Sequence, residues 1–139
     1  MIRDWAMKIK KRSDSRLVKM ARRGDRGYPI GTVAFYGPDD TRASKVAVGV
    51  MVAEEAEPIL RRWFVEEGDI RHNSAVEHEI LEHLKANGVM TVVMTRDVFG
   101  CPHEEGIDYP DGDVCPQCPF WAHRDRYARA VALAKRSLE

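Results

Sequence analysis

All three cysteines of the chain, Cys101, Cys115 and Cys118, fall in one Gly- and Pro-punctuated stretch, 99–124, together with His103, His123 and five carboxylates. They form two short-spaced pairs, Cys101-Pro-His103 and Cys115-Pro-Gln-Cys118, with eleven residues between them. A Cys-x-x-Cys spacing lets two sulfurs approach one ion while the backbone turns, and a second pair completes a tetrahedron of thiolate and imidazole donors. Any fold of this chain has to bring the two pairs together. The donor set points to zinc, and the choice against it is three reduced cysteines buried as small apolar residues.

An odd number of clustered cysteines does not make a secreted disulfide framework, so a reducing, cytoplasmic setting is expected. The chain has 139 residues, 44% of them hydrophobic, enough for one domain with a real core. It contains no run of about 20 apolar residues, and Arg3, Asp4, Lys8, Lys10 and Lys11 interrupt the apolar residues of the N-terminus, so neither a membrane span nor a signal segment is expected.

The net charge of zero hides an asymmetry. Residues 1–27 hold ten Lys/Arg against three Asp, 10 − 3 = +7, which leaves −7 for residues 28–139. Such a basic N-terminal arm suits nucleic acid or another anionic partner, and it suits equally well the acidic body of its own protein. Homo-oligomerisation stays open.

Hydrophobic period divides the rest. A thin amphipathic helix is expected from about Asp14 to Arg23, with Leu17 and Met20 on one side and Gly24 as its stop. Thr32–Tyr36 and Lys45–Val52 read as a hairpin around Gly37-Pro38-Asp39-Asp40, the second strand turning Val46, Val48, Val50 and Val52 to one face. Ile59–Val65 reads as a third strand. Ser74 and Glu77 suggest a capping box for a helix whose Val76, Ile80 and Leu84 share a face before Asn87-Gly88 ends it. Val89–Thr95 is apolar enough for a strand buried on both faces, returning beside an earlier one. Pro119–Leu138 carries Phe120, Tyr127, Val131, Ala134 and Leu138 at helical spacing among basic residues. The expectation is a basic arm, 1–27, and a single α+β domain, 28–139. That domain has a three- to four-stranded, mostly antiparallel sheet with a packed helix, then a zinc-binding loop at 99–124 leading into a C-terminal helix.

A knuckle, a short loop and a ligand pair opening a helix resemble a treble-clef or zinc-ribbon site over about residues 99–125. That resemblance implies Cys101, His103, Cys115 and Cys118 as ligands and a non-catalytic, structural role. His103 stands where the pattern usually has a fourth cysteine, which leaves His123 as the alternative nitrogen ligand.

Four catalytic readings compete. His103-Glu104-Glu105 followed by Cys115-Pro-Gln-Cys118 resembles the HxE and CxxC halves of zinc-dependent deaminases, which would make Glu104 or Glu105 a general base. Only nine residues separate Glu105 from Cys115, Val114 replaces the proline of that motif, and Gly106, Pro110 and Gly112 interrupt it. A zinc hydrolase with an open metal position would use the same glutamates. Cys-Pro-x-Cys before a helix resembles a thioredoxin-type dithiol, but that fold places the motif early and only 21 residues follow Cys118. His78-Glu79 and His83 resemble the zinc-peptidase signature, yet a spacing of five puts the two rings about 140° apart around a helix.

Overall fold

The structure, a computed structural model, describes residues 15–122 together with 124, 131 and 132. Its centre is β2 (Lys45–Met51), in which Val46, Val48 and Val50 are fully buried on one face. β1 (Ile30–Tyr36) pairs with β2 antiparallel, with Phe35 opposite Val46 and Val33 opposite Val48. β3 (Ile59–Phe64) lies antiparallel on the other side of β2 and puts Trp63 opposite Val46. Val98, Phe35, Val46 and Trp63 thus form one continuous buried row across the sheet. The hairpin follows the alternation of the sequence, although β2 ends at Met51 and Val52 is exposed; the third strand forms as expected but ends at Phe64 and buries only Trp63, with Ile59 of the same face exposed.

α1 (Arg16–Arg22) precedes the sheet, and α2 (Ser74–Ala86) connects β3 to β4 (Thr91–Val98). β4 runs parallel to β1, which gives a four-stranded mixed sheet of order β3-β2-β1-β4 in an α+β fold. Two antiparallel pairs and one parallel pair make it mostly antiparallel, as expected. A crossover helix is what a parallel return requires. Val76, Ile80 and Leu84 of α2 face the sheet, and Gly31 leaves them room: a Cβ there would stand 2.7 Å from Leu84 Cδ2.

Two local expectations are corrected. The N-cap of α2 is Asn73, whose side chain accepts from Val76 N–H; Ser74 is the first helical residue, so the two do not form a Ser74–Glu77 capping box. Glu77 instead accepts from Leu17 N–H at 3.3 Å and so ties α2 to the first turn of α1. β4 is an edge strand covered on one face only, so Val93 is 56% exposed and the strand is not buried on both faces. An apolar run alone does not say how many neighbours a strand has.

Part of the basic N-terminal stretch is seated on the domain. Leu17 is buried in the core, with Met20 and Ala21 packed against it. Farther along, the buried Thr91 hydroxyl donates to Gly27 C=O at 2.7 Å and accepts from Arg26 N–H at 2.8 Å. Residues 1–14 lie outside the described residues. So does most of the expected Pro119–Leu138 helix: Pro119–Trp121 form a single 3-10 turn, and residues 131 and 132 are helical.

Candidate metal centre

The sheet delivers the first donor pair. Phe99 N–H donates to Phe35 C=O at 2.7 Å and Gly37 N–H to Gly100 C=O at 2.9 Å, so the chain follows β1 past the end of β4 and places Cys101 at the sheet margin. The second pair arrives through the loop and ends at Cys118, which caps the Pro119–Trp121 turn with Pro119 in its first position. Trp121 fixes that turn by donating its buried indole N–H to Gly37 C=O. Both pairs are therefore held against the same hairpin turn, and this is what makes them converge.

They converge on His103. Its Nδ1 lies 3.2 Å from Cys101 Sγ and 3.5 Å from both Cys115 Sγ and Cys118 Sγ. All four donor atoms lie within 4.8 Å of one another, and the three cysteines are buried. With metal–sulfur bonds of about 2.3 Å and a metal–nitrogen bond of about 2.05 Å, a tetrahedral site has N···S edges of about 3.6 Å. The two spacings of 3.5 Å match that figure and the third, 3.2 Å, falls somewhat short of it, so with a small opening at Cys101 the quartet can hold a metal ion.

Electrostatics favour the same conclusion. Burial pushes the Cys118 thiol up to about 12, reinforced by the neighbouring Cys101 and Cys115. Burial likewise raises Cys101, against the hydrogen bond it accepts from His103 N–H at 3.3 Å. At Cys115 burial also opposes ionisation, but backbone N–H donation from Gln117, with smaller contributions from the Cys101, Cys118 and Cys118 backbone hydrogen bonds, outweighs it and lowers the pKa. Three converging sulfurs cannot all become thiolates cheaply in a buried site. A bound cation removes that penalty, because it favours the charged form of every ligand at once.

His123 lies outside the described residues. Glu104 and Glu105 are placed, and both are engaged. Glu104 Oε1 accepts from Arg62 at 2.7 Å, and its other oxygen stands 3.5 Å from Lys45 Nζ. Glu105 accepts from Gly112 N–H at 2.8 Å, and Asp108 from Glu104 N–H at 2.7 Å. The acidic loop is thus folded on its own amides, with Gly106 and Gly112 supplying positive φ where it turns. His78 and His83 share α2 but contribute nothing to the cluster.

The residue that sequence reasoning passed over is Lys45. It is 3% exposed, donates to Pro102 C=O at 2.9 Å, and lies over the rings of Tyr36 and Phe64. Burial lowers its pKa, and Glu104 acts in the opposite direction. The signal was present in β2: Lys45 shares a face with Ala47, Gly49 and Met51, and a long cation in such a row needs an acceptor close by.

No helix among the described residues is long and apolar enough to cross a membrane. Fold and site define a small α+β protein with a Cys3His cluster that can hold a metal ion. Comparison with protein-family models, curated proteins and solved structures found no match to this chain.

Proposed function

We propose that the cluster is a structural zinc site and that the protein is a non-catalytic binding module for nucleic acid or another anionic partner, engaged through its basic N-terminal segment. The observation that carries the zinc reading is the placement of His103 Nδ1 at tetrahedral distance from three sulfurs, which supplies four protein donors and leaves no coordination position for water. In a treble-clef or zinc-ribbon-like role the ion would join the end of β4 to the turn at Pro119. None of the three buried cysteines is in a disulfide, which suits a reducing compartment and supports a cytoplasmic setting.

Metal analysis of untagged protein should return about one equivalent of zinc. Less than about a tenth of an equivalent in a folded sample would end the zinc reading. For the partner, removal of residues 1–14 should weaken binding to an RNA or DNA oligonucleotide and reduce its salt dependence, since those residues hold five bases against two acids. Absence of binding to any polyanion at low salt would end that part.

A hydrolase or deaminase reading is kept alive by one observation. A cavity of about 500 Å³, bordered by Arg42, Phe64, His103 and Glu104, opens beside the cluster. That reading requires a water on the metal and a free carboxylate, whereas Glu104 is held by Arg62 and Lys45. Turnover that is lost in a zinc-replete, stable Glu104→Gln variant would favour it.

A further inference from the structure

α1 and α2 do not pack flush. Between them runs a groove of about 720 Å³ whose floor is Met20, Leu81, Val89 and Met90. Its rim carries Arg16, Lys19, Arg23 and Lys85 against Glu82, so 4 − 1 = +3. Among the described residues none of the four cations forms an ion pair, and Met90 is 52% exposed.

We infer that this groove receives an acidic, amphipathic segment of a protein partner; the inference rests on the anionic-partner reading above and gives it a surface and a chemical class. Methionine side chains are unbranched and adaptable, so a floor with two of them accepts the apolar anchors of a peptide. The cationic rim complements carboxylates flanking those anchors and steers their approach. Nucleic acid fits less well: no Phe, Tyr or Trp lines the groove, where His78 is the one ring able to stack on a base, and a phosphate backbone would leave the apolar floor uncovered. The protein's own residues 1–14 also fit poorly, because five bases against two acids, 5 − 2 = +3, have the same sign as the rim.

The test uses full-length, zinc-replete protein and fluorescence anisotropy. The probe is a labelled synthetic helix of about five turns with leucines at 3/4 spacing among glutamates. Its controls are the same peptide with serine for leucine, a lysine-for-glutamate version and a single-stranded RNA oligonucleotide. The leucine–glutamate peptide should bind. Serine replacement, Met90→Glu, or Lys19→Glu with Lys85→Glu should each weaken it by about tenfold or more. These protein positions are exposed, so the fold should be unaffected. The Lys19→Glu, Lys85→Glu protein should gain affinity for the lysine peptide, an outcome that misfolding cannot imitate. Peptide binding that is indifferent to these substitutions would overturn the groove assignment. RNA binding without peptide binding would overturn the partner class and leave the anionic-partner reading standing, and binding of neither would remove both.

Discussion

The indole N–H of Trp121 donates to the carbonyl of Gly37 at 2.8 Å in a buried site, across 84 positions of sequence. One bond thereby fastens the end of the cysteine-rich loop to the turn between β1 and β2. The same turn leaves no room for a side chain, since a Cβ on Gly37 would stand 1.8 Å from Arg42 C=O. Trp121→Phe keeps the ring stacked edge-on against Phe120 but strands the carbonyl, which should cost about 1–3 kcal/mol. Gly37→Ala has to displace backbone and should cost more. Urea unfolding of both variants measures the order, and equal stability of Trp121→Phe and wild type would show that the tie is idle.

If the quartet holds zinc as proposed, removal of the ion should be felt beyond the loop. With the metal gone, three buried sulfurs must be protonated and the two halves of the quartet lose their common centre. Chelation, Cys115→Ser or Cys118→Ser should lower Tm by about 10 °C or more, because the three cysteines and Trp121 belong to the same buried core as the valines of the sheet. His103→Cys should retain metal and His103→Ala should lose it. Retention of a full equivalent by His103→Ala would shift the nitrogen ligand to His123.

Glu104 is expected to act through stability. It neutralises Lys45, whose side chain is almost wholly buried, and it also binds the half-exposed Arg62. Glu104→Gln leaves that buried cation under-compensated. Removal of one partner from a fully buried pair costs about 3–5 kcal/mol, and the partial exposure of Glu104 reduces the expectation to about 1–2 kcal/mol. Lys45→Met should relieve most of that loss in the double variant. Equal losses in Glu104→Gln with and without Lys45→Met would mean that the two side chains are not coupled.

Two groups should give stability a pH dependence in separate windows. Burial disfavours ionised Asp69, but its bidentate pairing with Arg71 prevails and holds the carboxyl at about 2, against 3.8 ordinarily. The unfolded chain then takes up the proton first on acidification. About 2 kcal/mol of stability should be present above pH 4 and lost between about pH 4 and 2, and Asp69→Asn should lack this window. His83 titrates in the other window. Burial, then Arg61, depresses its pKa, and its Nε2 is buried without a hydrogen-bond partner among the described residues. Acidification from its ordinary value of 6.5 therefore protonates the unfolded chain before the folded one, and stability declines. A Tm–pH curve of His83→Gln that is no flatter than wild type below that pH would refute the assignment.

The parts legible in the sequence were those with short-range causes. Val46, Val48 and Val50 could be assigned to one buried face because strand geometry alternates side chains whatever the partner is. Helix 74–86 could be assigned because Val76, Ile80 and Leu84 recur every four residues and Asn87-Gly88 stops it. Its cap was misplaced by one residue, since Asn73 and Ser74 are both good caps and the choice depends on which backbone bends. The double burial of β4 failed for a different reason. Whether Val93 meets another layer depends on the strand order, and no residue of β4 encodes its own position in the sheet.

By itself the sequence determined the donor chemistry: two pairs of ligand-type residues at spacings that a turning backbone can fold around one ion. Local geometry sufficed, because each pair spans only three or four residues. Tertiary structure decided what surrounds them. Placement of His103 Nδ1 among all three sulfurs depends on contacts between distant strands and turns. The engagement of Glu104 depends on Arg62, 42 positions away, and on Lys45. The parallel return of β4 beside β1 depends on α2 packing over Gly31. These are pairings between residues far apart in the chain, formed only when the whole core is buried, and no local pattern specifies them.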